Sequence, residues 1–137
     1  TTCISPGTEF MSKLSNRIKN YIQIGAFQKQ NNKGKYTIIF SDSSVPGEGE
    51  LIEKIQEVGF SYDGIIINAG GFTHTSVALR DAISSVTSPA IEVHISNILS
   101  REDFRKKSYL SDVCSGIISG LGLLGYEAAI KYFIDSK

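Results

Sequence analysis

The segment Gly64-Ile-Ile-Ile-Asn68 decides the fold class, because it is a continuous run of β-branched residues that ends in a polar amide. Runs of this kind are typical of strands buried on both faces, as in parallel sheets. Upstream, Tyr36-Thr-Ile-Ile-Phe40 has the composition of a second short strand, Ser41 to Gly49 has that of a loop, and Glu50 to Val58 has helical spacing. This order of strand, loop, helix and buried strand indicates an α/β domain.

The same alternation continues downstream. Thr75 or Ser76 can cap the next helix, and Pro89 helps to set off the strand after it. The further elements predicted downstream are a helix at 77–86, a strand at 91–95, a short basic helix from Ser100 through Lys107, a strand at 116–120 and a helix at 126–134. Near the beginning of the chain, the spacing of apolar residues predicts an amphipathic helix from Met11 to about Ile24. In the last helix, the side chains expected to lie against the sheet are Ala128, Ala129, Tyr132 and Phe133. The alternation predicts a flavodoxin-like three-layer α/β sandwich with a central parallel sheet.

The chain length fits one domain. With 137 residues, of which 41% are hydrophobic, the chain can form its own core and leaves little room for a second. Thr1 to Phe10 contains Ser-Pro-Gly-Thr-Glu-Phe, which overlapping polylinker sites can encode, directly before Met11. We interpret residues 1–10 as an expression scar and residues 11–137 as a single domain.

Charge and cysteine usage exclude several classes of partner. Fourteen basic residues balance fourteen acidic ones, which argues against binding of nucleic acid or of an anionic membrane surface. Cys3 and Cys114 are far apart and outside any CxxC pattern, so neither a disulfide framework nor a zinc site is indicated. Without a long apolar run or the pattern of a signal peptide, we expect a soluble cytoplasmic protein.

Two polar clusters lie where strands are predicted to end. Asn68 is followed by Gly70, Gly71 and His74, and the glycines allow backbone N–H groups to approach a ligand. In the second cluster, the alternation of a strand places Glu92, His94 and Ser96 on one face. One such strand alone is better interpreted as half-buried with a solvated polar face. Two clusters at carboxyl ends of parallel strands instead predict a ligand site, where Glu92 can orient His94 for proton transfer.

The sequence Gly120-x-Gly-x-x-Gly125 matches the dinucleotide-binding fingerprint letter for letter. A genuine fingerprint lies in the first βα turn, with an acidic residue about 20 positions further on. Here the chain is predicted to end in a helix first. The glycines are therefore expected to permit a tight turn and close packing in the last βα unit, and we predict no nicotinamide or flavin cofactor.

The ordered motifs of the second half resemble those of type II 3-dehydroquinate dehydratases. The matching stretches are Gly64 to Ser76, Val77 to Ala82, Ile91 to Asn97, Arg101 to Arg105 with Ser108-Tyr109, and Gly120 to Tyr126, while Gly47 to Gln56 is similar to the entry of the family's second helix. The resemblance covers about residues 47–137, in order and without a large gap. It is more specific than any single short motif.

The resemblance implies a lyase of the shikimate pathway, in aromatic amino-acid biosynthesis, that dehydrates 3-dehydroquinate to 3-dehydroshikimate through an enolate. No metal or organic cofactor is implied, because acid and base residues suffice to remove a proton next to a ketone. By resemblance His94 is the general acid, oriented by Glu92, and the substrate-binding residues are Asn68, His74, Asp81, Ile95, Ser96 and Arg105. In the resembled family, the aspartate that matches Asp81 acts across a subunit contact in trimers that associate into dodecamers, and the resemblance implies the same assembly here.

Several alternatives stay open. His74 can bind substrate or stabilise its own turn, and the basic residues from Arg101 to Lys107 can be a solvated helix face from which the resemblance selects Arg105. The apolar group Tyr109, Leu110, Val113 and Ile117 fits either a subunit contact or a core strand. The lid that bears an arginine and a basic tyrosine in the resembled family is not found in residues 11–46. The alternative function is a catalytically impaired relative that binds the substrate without turnover.

Overall fold

Residues 35–41 and 47–136 are described by a computed structural model of the chain. The strands are β1 (Tyr36–Phe40), β2 (Gly64–Asn68), β3 (Ala90–His94) and β4 (Gly116–Ser119), and the helices are α1 (Glu48–Val58), α2 (Val77–Ser85) and α3 (Leu124–Asp135). Short 3₁₀ turns lie at Gly70–His74, Ile98–Ser100, Asp103–Lys106 and Ser111–Val113. The predicted helix at 11–24 and the proposed scar at 1–10 lie outside the described residues.

The four strands form one parallel sheet in the order β1-β2-β3-β4. In β2, Ile66 lies opposite Ile38 of β1 and Ile91 of β3, and β4 pairs with β3 so that Ser119 lies opposite His94. The central position of β2 explains its composition, since both neighbours satisfy its backbone and both of its faces are covered. The predicted parallel sheet is confirmed, and the carboxyl ends of β2 and β3 meet at one edge.

Helices cover both faces of this sheet. On one face, Ile65 and Ile67 of β2 pack with α1 and α2, whose buried residues include Leu51, Ile55 and Leu79. On the other face, Ile66 and Val93 pack with Tyr126, Ala129, Ile130 and Phe133 of α3. Successive strand residues point to opposite faces, so the run of isoleucines in β2 supplies both layers. The predicted three-layer sandwich is confirmed.

The element boundaries differ from the sequence-based expectation by a residue or two. The helix expected from Glu50 begins at Glu48, and the strand expected at 91–95 spans Ala90–His94. The cap of α2 is Ser76, whose Oγ accepts a hydrogen bond from the backbone N–H of Leu79 at 2.9 Å. That cap satisfies one of the free N–H groups of the first turn.

Two expectations were wrong. Ala128 and Tyr132 do not lie against the sheet: both are exposed, Tyr132 by 50%, because α3 turns Tyr126, Ala129, Ile130 and Phe133 inwards instead. The basic helix from Ser100 to Lys107 is replaced by the two 3₁₀ turns Ile98–Ser100 and Asp103–Lys106. The Ser100 hydroxyl donates to the carbonyl of Asn97 at 2.9 Å rather than capping a following helix.

The glycines after β4 form a tight turn. Gly120 and Gly122 have φ of 89° and 59°, in the region that favours glycine. A Cβ at Gly125 would lie 3.2 Å from Val93 Cγ1, so α3 packs closely on β3 at this point. The turn and the close packing are confirmed. Among the described residues, no helix is long and apolar enough to cross a membrane.

Candidate active site

A cleft lies at the carboxyl ends of β2 and β3. Its lining consists of Asn68, Gly70, His74, His94, Ile95, Ser96, Ile98, Arg101 and Arg105. Its empty space is about 330 Å³ when measured to its open mouth, at the lower end of the range for small-molecule sites. Asn68 and His94 are the last residues of their strands, so the sheet fixes both side chains at the floor of the cleft. The other residues come from the connections after these strands.

Glu92 and His94 form a buried pair on β3. They are 0% and 5% exposed, and the Nε2 atom of His94 is in hydrogen-bond contact with Oε2 of Glu92. The alternation of the strand brings them together, since residues two apart point to the same face. The alternative of a half-buried strand with a solvated polar face is therefore wrong for β3. The contact holds Nε2 toward the protein and leaves Nδ1 for a ligand in the cleft.

Two serines also donate hydrogen bonds to the Glu92 carboxylate. Ser111 Oγ donates to Oε1 at 2.5 Å, and Ser108 Oγ lies 3.1 Å from Oε1 and 3.0 Å from Oε2. Burial raises the pKa of the Glu92 carboxyl, but the hydrogen bonds from His94, Ser111 and Ser108 outweigh burial and bring that pKa below its ordinary value. Glu92 is thus an ionised carboxylate that can stabilise a positive charge on His94.

His74 also lines the cleft, and its ring lies next to that of His94. The two rings stack with centroids 6.4 Å apart, and Phe104 meets the His74 ring edge-on with a centroid distance of 6.5 Å. His74 Nδ1 donates to the backbone carbonyl of Lys107 at 2.7 Å. That bond fixes the ring to the neighbouring connection rather than to its own turn, and it leaves Nε2 as the nitrogen that can meet a ligand.

The amide of Asn68 is held at both ends. Its Nδ2 donates to the hydroxyl of the fully buried Tyr126 at 2.8 Å, and its Oδ1 accepts from the N–H of Gly70 at 3.1 Å. Gly70 has φ of 58°, which lets the chain turn sharply after β2. The amide keeps one N–H and one lone pair for a hydroxyl in the cleft.

Two arginines give the cleft positive charge. The Nε atoms of Arg101 and Arg105 lie 3.6 Å and 3.0 Å from the same oxygen of Glu102, and both side chains are largely buried. Arg105 also lies over the ring of Phe104, 5.0 Å from its centroid. The single negative charge of Glu102 therefore positions both arginine side chains but can balance only one of their two positive charges.

The family model Dehydroquinase class II matches residues 13–134 of this chain. The chain belongs to the class II dehydroquinases. A 3-dehydroquinate dehydratase from Campylobacter jejuni is 60% identical over 88 residues, which cover 64% of this chain and 55% of the relative. A catabolic 3-dehydroquinase from Debaryomyces hansenii is 42% identical over 134 residues, which cover 96% of this chain and 90% of the relative. The chain spans little more than half the length of several such relatives.

A solved structure supports the same family. The type II dehydroquinase from Butyrivibrio crossotus superposes with a TM-score of 0.72 at 42% sequence identity. The match covers 89% of this chain and 78% of the other. The resemblance drawn from the sequence motifs is confirmed, as is the flavodoxin-like fold.

This dehydroquinase chain brings most of the predicted site residues into one cleft. The cleft contains Asn68, His74, His94, Ile95, Ser96 and Arg105, and Glu92 lies directly beneath His94. Asp81 is not brought there: it is exposed on α2 and does not line the cleft. Of the apolar group after the basic segment, Leu110 is fully buried in the core, while Ile117 is 45% exposed. The core interpretation is thus right for Leu110 and wrong for Ile117.

The sequence patterns assign no site role to three polar residues that line the cleft or contact Glu92. The sequence leaves open that Arg101 belongs to a solvated basic face, yet its side chain is 18% exposed and lines the cleft. Ser108 and Ser111 were given no role, although both reach Glu92. Their sequence separation from Glu92 is 16 and 19 residues, and no periodicity of a strand or helix links positions so far apart. The signal that could have found them is the need of a buried carboxylate for several donors.

Proposed function

We propose that this chain catalyses the dehydration of 3-dehydroquinate to 3-dehydroshikimate. The proposal is supported by family membership and by relatives that carry the names 3-dehydroquinate dehydratase and catabolic 3-dehydroquinase. The structural observation that carries it is the buried Glu92–His94 pair, with His94 lining a cleft that also contains two arginines. A proton donor beside cations suits the elimination of water from a hydroxylated carboxylic acid.

The reaction proceeds in two steps. A base removes the proton next to the ketone, and the electron pair of that C–H bond forms an enolate. The enolate then re-forms the carbonyl, and its C=C electron pair becomes a new double bond between the α- and β-carbons. As this bond forms, the bond between the β-carbon and its hydroxyl oxygen breaks, and His94 gives its proton to the departing oxygen so that water leaves. Glu92 stabilises the imidazolium before this transfer and fixes the ring so that Nδ1 faces the substrate. No metal or organic cofactor is used in these steps.

The substrate is held by charge and by directed hydrogen bonds. Ile95 and Ser96 offer a backbone N–H and a hydroxyl for the carboxylate, at the point where β3 has ended and the chain lines the cleft. Asn68, His74 and Arg105 offer donors for the ring hydroxyls. Arg101 adds a second positive charge that favours an anionic substrate over a neutral one.

The direct test is the ultraviolet absorbance of the conjugated enone after 3-dehydroquinate is added. We expect turnover by the unaltered chain, and a loss of about 10² to 10⁴ in kcat for His94→Ala. Lys106→Ala is the control. Lys106 is exposed, does not line the cleft, and its Nζ atom lies 3.1 Å from Oδ1 of Asp103. Full activity of His94→Ala would remove the assigned acid.

Calorimetry with 3-dehydroquinate separates the impaired relative from an enzyme. Heat of binding without enone formation at high protein concentration would favour the alternative function. No binding and no turnover would defeat both proposals.

The assembly is proposed from the resemblance. We infer a homotrimer that can associate into a dodecamer, in the cytoplasm, with Asp81 completing a neighbour's site. Support comes from the exposed position of Asp81, outside the cleft of its own chain, and from the exposed Ile117 on β4, which lies at the edge of the sheet formed by the described residues. Light scattering at micromolar concentration tests this: a monomer would contradict it.

A further inference from the structure

The Glu92 carboxylate receives hydrogen bonds from outside its own strand. Ser108 and Ser111 belong to the connection between β3 and β4; the Ser111 hydroxyl reaches Oε1, and the Ser108 hydroxyl lies within hydrogen-bond distance of both carboxylate oxygens. Since Glu92 is 0% exposed, no solvent replaces a donor that is lost. These two serines therefore decide whether the carboxylate keeps its charge and its orientation.

The backbone fixes the direction of the Ser108 hydroxyl. Its Oγ accepts hydrogen bonds from the N–H groups of Leu110 at 3.0 Å and Ser111 at 3.1 Å. A hydroxyl oxygen has two lone pairs, and these two N–H groups use both of them. Only the hydroxyl proton remains, and it is donated to Glu92, whose Oε2 atom lies 3.0 Å from the Ser108 Oγ atom. Ser108 can therefore serve Glu92 only as a donor, which favours the ionised form of the carboxylate.

Ser111 completes the arrangement at Oε1. Its hydroxyl lies 2.5 Å from that oxygen, a distance typical of an O–H donor to a charged acceptor. Oε2 is in contact with both Ser108 and His94. We propose that Ser108 and Ser111 are positioning residues that hold Glu92 ionised and correctly turned, so that His94 keeps the proton it delivers. This inference rests on the proposed dehydration, because the delivered proton matters only if His94 acts as the acid.

The test uses Ser111→Ala, because Ser108 also supports the turn through its two backbone contacts. Removing one hydrogen bond to a charged group is expected to lower kcat about tenfold, with less than a roughly twofold change in KM, since the serine does not line the cleft. Ser111→Thr keeps the hydroxyl and should recover most of the activity. Ser85→Ala is the matched control: its hydroxyl donates to the Ala82 carbonyl at 2.9 Å, remote from the cleft, and kcat should stay unchanged.

A double-mutant cycle separates positioning from a general structural effect. In a Glu92→Gln background the charged acceptor is gone, so Ser111→Ala should lower kcat by less than about twofold more. Thermal unfolding of each variant shows whether the chain is still folded. Wild-type activity of Ser111→Ala, or a full tenfold additional loss in the Gln background, would overturn the proposal.

A second readout needs no turnover. The carboxyl carbon signal of Glu92, followed by NMR against pH, should have its midpoint at higher pH in Ser111→Ala, because the charged form has lost a donor. Among residues 35–41 and 47–136, the charged or titratable groups near the pair are His74, Arg101 and Arg105 in the cleft and the thiol of Cys114. These groups are the same in both proteins, so a difference in the Glu92 midpoint reports the lost hydroxyl. An unchanged Glu92 midpoint would overturn the inference even if the chain proved inactive, whereas inactivity with a shifted midpoint would contradict only the proposed function.

Discussion

The ionised carboxylate at Glu92 affects a second group that has no part in the proposed chemistry. Cys114 packs against the core on the α1 and α2 face of the sheet. Burial, with the negative charges of Glu92 and Asp112, raises the pKa of the Cys114 thiol to about 12. Because a thiol reacts as its thiolate, Cys114 is chemically inert at neutral pH.

Alkylation measures this directly. An unperturbed cysteine has a pKa of about 8.5, so at pH 8 the thiolate fraction of Cys114 in the folded chain is lower by about 10³. In a Cys3→Ser variant, we expect iodoacetamide to modify Cys114 at least about a hundredfold more slowly in buffer than in concentrated urea. The sign follows from the direction of the shift, since a raised pKa reduces the thiolate at every pH below it. Equal rates of modification in buffer and in urea would contradict the conclusion that burial and nearby negative charges raise the pKa of the Cys114 thiol.

At the scale of elements, the turn between β4 and α3 holds the end of β3 in place. The N–H of Gly120 donates to the carbonyl of His94 at 3.2 Å, and that of Gly122 donates to the carbonyl of Ile95 at 3.1 Å. A Cβ at Gly120 would lie 3.0 Å from Asn97 Cβ and 3.3 Å from its Cα. The turn therefore supports the backbone that carries the proposed acid, and it requires a glycine.

Gly120→Ala is expected to lower the free energy of unfolding by about 1 to 3 kcal/mol. The cost has two sources: a φ of 89° that side chains rarely adopt, and the close approach to Asn97. Gly49→Ala in α1 is the matched control, because nothing lies within 4 Å of its Cβ position and alanine favours a helix. Urea denaturation of both variants should show destabilisation for the first and none for the second. Equal stability of the two would contradict the assigned turn.

Elements with their own periodicity could be predicted, and contacts between distant segments could not. The run at Gly64–Asn68 and the alternation at Glu92 and His94 are local patterns, so β2, β3 and the buried pair followed from them. The segment 98–113 forms three short 3₁₀ turns, which have no apolar period to reveal them. For that reason Arg101, Ser108 and Ser111 could not be assigned from pattern alone.

At the scale of the whole molecule, the hydrophobic core and the cleft lie at different parts of the sheet. The two core clusters occupy its faces, while the cleft lies at the edge where β2 and β3 end. Asp81 lies on the outer layer, in α2, away from that edge. We therefore expect Asp81 to take part in the reaction in the cleft of another subunit, and this can be measured without a structure of the assembly.

Subunit complementation provides the measurement. His94→Ala and Asp81→Ala chains are each expected to be nearly inactive, because every site then lacks one group. When the two are coexpressed in equal amounts, a site works if its own chain keeps His94 and its neighbour keeps Asp81. With random assembly each condition holds for about half of the chains, so about one quarter of the wild-type activity should return.

His94→Ala mixed with Arg105→Ala is the control: both residues line the same chain's cleft, so no mixed site can contain both, and activity should stay at the level of the separate variants. Recovery in neither mixture would contradict the role of Asp81 across the contact, whereas recovery in both would show that the cleft itself is shared between chains.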